Sequence, residues 1–359
     1  MKLLTVVGAR PQFIKAAAMT RVLRVAGDAF QNVMVHTGQH YDDSMSAVFF
    51  RELGIPEPDI NLGIADLGHG AMTGRMLERL EECFMRVRPD RVLVYGDTNS
   101  TLAAALAAVK LAIPVGHVEA GLRSGNMRMP EEINRILTDR VSTWLFCPNG
   151  AAADTLRREG IVDGVHVVGD ILYDVVLHER ARVLKEVPLN RWEVENRRYL
   201  LASVHRQENT DSEPRLESIL SALRVLARDM PVVLPLHPRT HRILEERNAL
   251  SLLDGLRVTG PLSYLEVHRL MMSARAVLTD SGGMQKEAFY HRVPCLTLRD
   301  ETEWSETLEL GWNRLCGADH ERILAAWAHI DSLPRIDGAQ PYGDGEAAVR
   351  ILDLLKAAP

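Results

Sequence analysis

The chain has 359 residues, 46% hydrophobic and 25% charged, which at roughly 150 residues per domain predicts about two globular domains and excludes disorder as the dominant state. Its 42 basic and 48 acidic side chains leave a net charge of −6, so no basic field draws it to nucleic acid. Four cysteines, Cys83, Cys147, Cys295 and Cys316, show no CxxC spacing, which argues against a zinc site or a disulfide framework and fits a reducing, cytoplasmic setting.

Met1-Lys2 leads into an apolar run at 3–7 and then Gly8-Ala9-Arg10-Pro11; the run is too short for a signal peptide and predicts a buried first strand. Further short apolar runs at 33–36, 91–95, 114–118, 144–147 and 165–168 predict strands, with helical stretches near 14–25, 72–87, 101–111 and 131–140 between them. The alanine-rich stretch at 103–108 is followed by Lys110 and predicts a packed helix, since no apolar run approaches the ~20 residues of a membrane span. Strand–helix alternation implies a doubly wound parallel sheet. The pattern restarts with strands at 199–204, 232–236, 276–279 and 295–298 and helices at 215–227, 264–272 and 284–291. The reading is therefore an α/β chain with domains at 1–172 and 173–345, a boundary in the charged helical segment 173–197, and a last helix over 346–356. Two open α/β domains bind ligand where the carboxyl ends of their strands face a cleft.

The strand ends carry the candidate chemistry. The first runs into Gly8-Ala9-Arg10-Pro11-Gln12-Phe13-Ile14-Lys15. Pro11 suits a first helical turn, and Arg10 and Lys15, two cations near a helix N-terminus, suit a diphosphate; a plain turn with exposed charges fits as well. The segment is not GxGxxG, so the dinucleotide fingerprint is missing. Asp97, in Tyr95-Gly96-Asp97-Thr98, is either an N-cap or a functional group at a strand end. Glu119, in His117-Val118-Glu119-Ala120-Gly121-Leu122-Arg123, suits general acid or base work if buried; a pairing with Arg123 is the alternative. Pro130-Glu131-Glu132-Ile133-Asn134-Arg135 opens a helix on which Glu131 and Arg135 share a face, although plain helix electrostatics also accounts for them. In the second domain His205 and His237 each follow a strand, as functional or structural histidines. Thr279-Asp280-Ser281-Gly282-Gly283-Met284-Gln285-Lys286-Glu287 reads as strand, small turn and helix. Such a turn offers backbone N–H groups to an anion, and Glu287 lies one turn along, placed for ribose hydroxyls.

Taken in order over about residues 1–315, the segments at 8–15, 96–98, 117–123, 130–135, 205–206 and 279–287 resemble the non-hydrolysing UDP-N-acetylglucosamine 2-epimerase family. The resemblance implies two Rossmann-like domains in a glycosyltransferase-B arrangement with a central cleft, the second binding UDP, and a last helix at about 346–359 that returns to the first domain. It also implies a cytoplasmic homodimer with a UDP-amino sugar substrate and neither metal nor nicotinamide cofactor. The chain departs from the commonest members, which carry Thr and Glu where it has Ala9 and Gln12, an Arg where it has Trp304, and a longer segment before Pro130. With Gln39-His40-Tyr41-Asp42 and Asp300-Glu301-Thr302-Glu303-Trp304, these departures resemble the branch that acts on UDP-2,3-diacetamido-2,3-dideoxy-glucuronic acid.

The C2 proton of a 2-acetamido sugar is not acidic until the C1–O bond to UDP breaks. Loss of UDP and of that proton gives a 2-acetamidoglycal, to which UDP re-adds after protonation on the other face. The route resembles the family mechanism and needs a cationic cradle and acid/base groups on both faces of C2. The expected set is Asp97, Glu119 and Glu131 for proton transfer with His205 beside them. Arg10, Lys15, Arg135, His237, Ser281, Gly282, Gly283 and Arg299 are expected on substrate or UDP, and Glu287 on ribose. Trp304, expected near the cleft, would suit a second acetamido group or would merely pack between helices, and a C6 carboxylate would need Arg123, Arg128 or Arg299. UDP-N-acetylglucosamine is the alternative substrate. A glycosyltransferase would share the cradle but need an acceptor groove, and a sugar-nucleotide sensor would lack the carboxylates.

Overall fold

In the computed structural model, which describes residues 1–39, 50–332 and 334–357, short runs rich in Val and Leu pair side by side in parallel. The chain divides into two units, residues 1–178 with the segment from 340 onward, and residues 179–339. The division falls inside the helix Ile171–Glu186. The motif residues His40, Tyr41 and Asp42 lie outside the described residues.

The first unit carries β1 (Lys2–Val7), β2 (Gln31–His36), β3 (Ile60–Asn61), β4 (Arg91–Tyr95), β5 (Val115–Val118), β6 (Trp144–Cys147) and β7 (Val165–Val167). They form one sheet in the order β3-β2-β1-β4-β5-β6-β7. Helices cover both faces, so the strands read as near-continuous apolar runs rather than alternating ones. Leu4, Val6, Val92 and Val94 pack against Met76, Leu80 and Phe84 and against Ala103, Ala104 and Ala107 of the helix Asn99–Lys110. Each large buried side chain there contributes about 1.5–3 kcal/mol. The order reverses between β1 and β4, which sets the loops after these strands side by side at the carboxyl edge. The last helix, Ala347–Lys356, packs on the helix Arg10–Ala26. Asp174 accepts its Ala347 and Ala348 N–H groups at 3.1 and 2.7 Å.

The second unit carries β8 (Leu200–Ser203), β9 (Val232–Pro235), β10 (Arg257–Thr259), β11 (Ala276–Thr279), β12 (Cys295–Thr297) and β13 (Asn313–Leu315), in the order β10-β9-β8-β11-β12-β13. Its reversal lies between β8 and β11, so the loops after those strands meet in the same way. Leu216, Leu220 and Leu223 of the helix Glu213–Leu226 bury against Leu200, Leu234 and Leu278.

β3, β10 and β13 were not expected from the sequence. They have two or three residues each, too few for any hydrophobic period to register. The helices Gly150–Arg158, Pro238–Glu246 and His320–Ala328 were likewise unmarked, being only nine residues each. All four cysteines are buried, two in each unit. Among the described residues no helix is long and apolar enough to cross a membrane.

Candidate active site

The first unit gathers its chemistry where β1 and β4 diverge. A Cβ on Gly8 would collide with the Thr37 and Ser100 hydroxyls, so only glycine fits the close of β1. Gln12, buried in the first turn of the next helix, accepts the Gly8 and Ala9 N–H groups at 2.7 and 3.0 Å. Its amide nitrogen donates to the Tyr95 carbonyl at 2.8 Å and to the Thr98 and Thr101 hydroxyls at 3.0 and 2.9 Å. One side-chain amide thus joins the loop carrying Arg10 to the loop carrying Asp97. Arg10 is half-buried, whereas Lys15 is buried and forms an ion pair with Glu119. Glu119 sits at φ 74°, in the left-handed region that a side chain rarely adopts. Its N–H and that of Ala120 both donate to the Phe146 carbonyl, at 3.0 and 3.2 Å. A Cβ on Gly96 would lie 3.4 Å from both Glu119 Oε2 and Lys15 Nζ, which places the Asp97 loop directly against this pair.

The helix Pro130–Val141 supplies the rest. Arg135 forms an ion pair with Asp97 and donates from Nη1 to Glu132 Oε2 at 2.7 Å. Burial pushes the Glu132 carboxyl up, but the Ser124 and Gly125 N–H groups and Arg135 outweigh it and hold it below the usual range. Glu131 is partly exposed and has no hydrogen-bond or ion-pair partner among the described residues. This helix inverts the usual pattern. It buries Glu132, Asn134, Arg135 and Asp139 and turns Ile133 and Leu137, 40% and 44% exposed, to the outside. Under the loops His117, fully buried, donates from Nδ1 to Asp139 Oδ1 and from Nε2 to the Gly96 carbonyl, both at 2.7 Å. Burial raises the Asp139 carboxyl, and His117 and Arg123 reverse this, holding it low.

In the second unit the equivalent reversal brings His205, after β8, beside Asp280 and Ser281, after β11. Asp280 is fully buried and accepts the His205 and Arg206 N–H groups at 3.0 and 2.9 Å and Asn209 Nδ2 at 3.1 Å. The His205 ring lies with Nδ1 3.5 Å from Asp280 Oδ1 and its side chain 38% exposed. His237 stands at the rim, its ring centroid 6.1 Å from that of His205, and accepts the Arg239 N–H at Nδ1. Ser281 caps the helix Gly282–Tyr290 by accepting the Met284 N–H at 3.4 Å. Neither Gly282 nor Gly283 has a positive φ, and a Cβ on Gly282 would meet Trp304 Nε1 only at an ordinary 3.5 Å. Nothing in the protein's own packing demands glycine at either position, whereas an approaching anion would benefit from bare N–H groups. Glu287 is buried one turn on, with Oε1 3.2 Å from His268 Nε2, and His268 Nδ1 meets His291 Nε2 at 2.9 Å. Burial, then His268, keeps the His291 imidazole well below its ordinary value. The Lys286 ammonium lies 3.8 Å over the Trp304 ring centroid, both groups buried.

A profile of the family described as UDP-N-acetylglucosamine 2-epimerase matches residues 24–356. The chain belongs to that family. It is 48% identical over 360 residues to the UDP-2,3-diacetamido-2,3-dideoxy-D-glucuronate 2-epimerase of Pseudomonas aeruginosa, with 99% of each chain covered. It is 44% identical over 361 residues to a UDP-N-acetylglucosamine 2-epimerase homolog of Methanococcus maripaludis, again over 99% of each. The crystal structure of the Methanocaldococcus jannaschii UDP-GlcNAc 2-epimerase in complex with UDP-GlcNAc and UDP superposes with a TM-score of 0.91 at 39% identity, covering 99% of each chain. The sequence resemblance to 2-epimerases, an isomerase family, and the two doubly wound α/β halves therefore stand.

Within this epimerase frame the structure brings Lys15, Asp97, Glu119 and Arg135 together in the first unit and His205, Ser281, Gly282 and Gly283 in the second. The alternative pairings that the sequence offered are replaced by others. Arg135 reaches Glu132 and Asp97, not Glu131, because three residues of helix and the adjacent β4 loop bring those carboxylates closer. Glu119 pairs with Lys15, while Arg123 binds Asp139 at 2.7 Å and Glu159 at 2.8 Å. Arg299, expected on substrate, is wholly buried and donates to Glu303 through two hydrogen bonds of 3.0 and 3.2 Å, with Nε 3.5 Å from Glu208 Oε1. Gln12, His117, Glu132, Asn134, Asp139 and Asp280 were not singled out as site residues. The polar positions 132, 135 and 139 recur at helical spacing, a signal that reads as a solvated face until the burial is seen.

Proposed function

We propose that the chain interconverts the C2 epimers of a UDP-activated 2-acetamido sugar by eliminating UDP and adding it back. The observation that carries the reading is the pairing of Glu119 with Lys15 and of Asp97 with Arg135 around the switch point of one sheet, with Glu131 on the helix that carries Arg135 and Arg10 directly after β1. In the elimination the C1–O bond breaks, UDP leaves with its electron pair, and a carboxylate takes the C2 proton, giving the glycal. Re-addition delivers a proton to the opposite face. Glu131, which has no bridge to break, is suited to exchange a proton; Asp97 and Glu119 hold fixed positions through their cations. In the second unit the bare N–H groups at Gly282 and Gly283 and the helix dipole support diphosphate binding, with His205 and His237 near the same anion and Glu287 on ribose.

The substrate we propose is UDP-2,3-diacetamido-2,3-dideoxy-glucuronate, with UDP-N-acetylglucosamine as the second reading. The name of the P. aeruginosa relative supports the first. So does the cation inventory: Arg123 and Arg299 are engaged by acidic partners, whereas the exposed Arg128 guanidinium has no partner among the described residues and is available to a C6 carboxylate. The reading includes a homodimer, tested by light scattering, and activity in the cytoplasm. NMR of the purified protein with each sugar in deuterated water tests the chemistry. Solvent deuterium appears at C2 of product, without added nicotinamide and after dialysis against chelator; full retention of the substrate proton overturns the elimination.

A further inference from the structure

We propose that the buried His117–Asp139 pair is the positioning device that fixes the three proton-transfer carboxylates, an inference that rests on the 2-epimerase reading. Both partners of the His117 ring are acceptors only, the Asp139 carboxylate and the Gly96 carbonyl, each at 2.7 Å. Both ring nitrogens therefore carry protons, and the ring is an imidazolium. Asp139 is its counter-charge. The second Asp139 oxygen accepts Arg123 Nη1 at 2.7 Å and the Gly121 N–H at 3.2 Å, and Arg123 continues to Glu159 through two bonds of 2.8 Å. A buried chain of alternating charges is rarely more stable than well-packed apolar residues, so its use lies in what it grips.

Each end grips backbone beside a carboxylate. The Gly96 carbonyl is held by His117 and its N–H donates to the Val118 carbonyl at 2.9 Å, so both polar groups of the residue before Asp97 are fixed. Gly121, held by Asp139, closes the turn in which Glu119 keeps φ 74°. Asp139 itself lies on the helix Pro130–Val141, about two turns after Glu131. One pair thus joins the three segments that present Asp97, Glu119 and Glu131. Neither side chain is exposed, which makes both positioning residues rather than catalytic ones.

The test compares the full-length wild type with His117→Gln, Asp139→Asn and the double variant, using both UDP sugars for kcat and KM and calorimetry for the Kd of UDP. Each single change is expected to lower kcat about 10- to 100-fold, as misplacement of reacting groups does, with KM and the UDP Kd within about twofold. The double variant is expected to be no worse than the worse single one. The isosteric Asp139→Asn decides alone if His117→Gln does not fold. The titratable and charged groups around the pair are Arg123, Glu159, Cys147 and, across Gly96, Lys15 and Glu119. Losses that multiply, kcat within about threefold of wild type, a parallel loss of UDP affinity, or an unfolded Asp139→Asn each overturns the proposal. A wild type that interconverts neither sugar overturns the 2-epimerase reading and the proposal with it.

Discussion

Glu119 and Glu131 are both candidate proton-transfer groups, yet their surroundings differ, and stability separates them. Glu119→Gln leaves the buried Lys15 cation without its partner, so it should cost about 3 kcal/mol of unfolding free energy. Glu131→Gln, at a site without a bridge, should stay within about 0.5 kcal/mol. Both, with Asp97→Asn, should lose turnover by about 10²–10⁴-fold while calorimetric UDP affinity holds. Ser281→Ala and Glu287→Ala should show the opposite pattern, and three carboxylate variants that fail to bind UDP would reassign those residues to binding. Gln12 makes a sharper case. Its amide nitrogen donates to a carbonyl and two hydroxyls, and a carboxylate would set an acceptor against the Tyr95 carbonyl. Gln12→Glu should therefore cost about 1–3 kcal/mol. Because the native state favours its protonated form, that cost should be smaller in mild acid and grow as the pH rises. Denaturant unfolding on both sides of neutrality reads the difference. From the sequence, Gln12 was visible only as a departure from the common pattern; its five hydrogen bonds were not.

At the scale of elements, the helix Pro130–Val141 shows why part of the site was hidden. Charged residues on a helix imply a solvated face, but here the packed neighbours are the Asp97 and Ser124 loops, whose polar groups make burial of Glu132, Arg135 and Asp139 affordable only as a set. Strand ends and the Gly-rich turn were legible because their residue types have few other uses; side-chain pairing was not, since it depends on which loop lies opposite. The turn gives a clean test. Gly282→Ala adds a Cβ with room to spare, so the melting temperature should hold while UDP affinity falls about tenfold or more; unchanged affinity would remove the anion role. The last helix offers a pH test. Burial, opposed by the Ala347 and Ala348 N–H groups, raises the Asp174 carboxyl from 3.8 to about 6. Between those values the native state holds a proton that the unfolded chain has released, so this group's contribution falls as the pH rises through the window and is flat above it. The loss is about 2–3 kcal/mol by linkage. Asp174→Asn should lack that slope in unfolding free energy between acid and neutral pH, whatever its absolute stability.

For the whole molecule the open question is the sugar. If Arg128 reads a C6 carboxylate, kcat/KM for UDP-2,3-diacetamido-2,3-dideoxy-glucuronate should exceed that for UDP-N-acetylglucosamine, and Arg128→Ala should narrow the gap about tenfold or more. Equal or better turnover of UDP-N-acetylglucosamine by the wild type would reverse the preference and leave the reaction in place. The two doubly wound halves were readable from strand–helix alternation alone, because buried parallel strands leave continuous apolar runs. Trp304 was expected to take charge away from the substrate region, but Lys286 lies on its ring, so the position keeps a cation through a neighbour the sequence does not pair with it. The even split of the cysteines has a further use. Only a thiolate is alkylated readily. Burial raises Cys83, and pushes Cys147 and Cys295 to about 12 and Cys316 to about 11. Native protein should resist iodoacetamide, and each label would record an opening event. With Cys83 and Cys147 in one unit and Cys295 and Cys316 in the other, pulse alkylation read by peptide mass would time the two openings separately within a single wild-type chain.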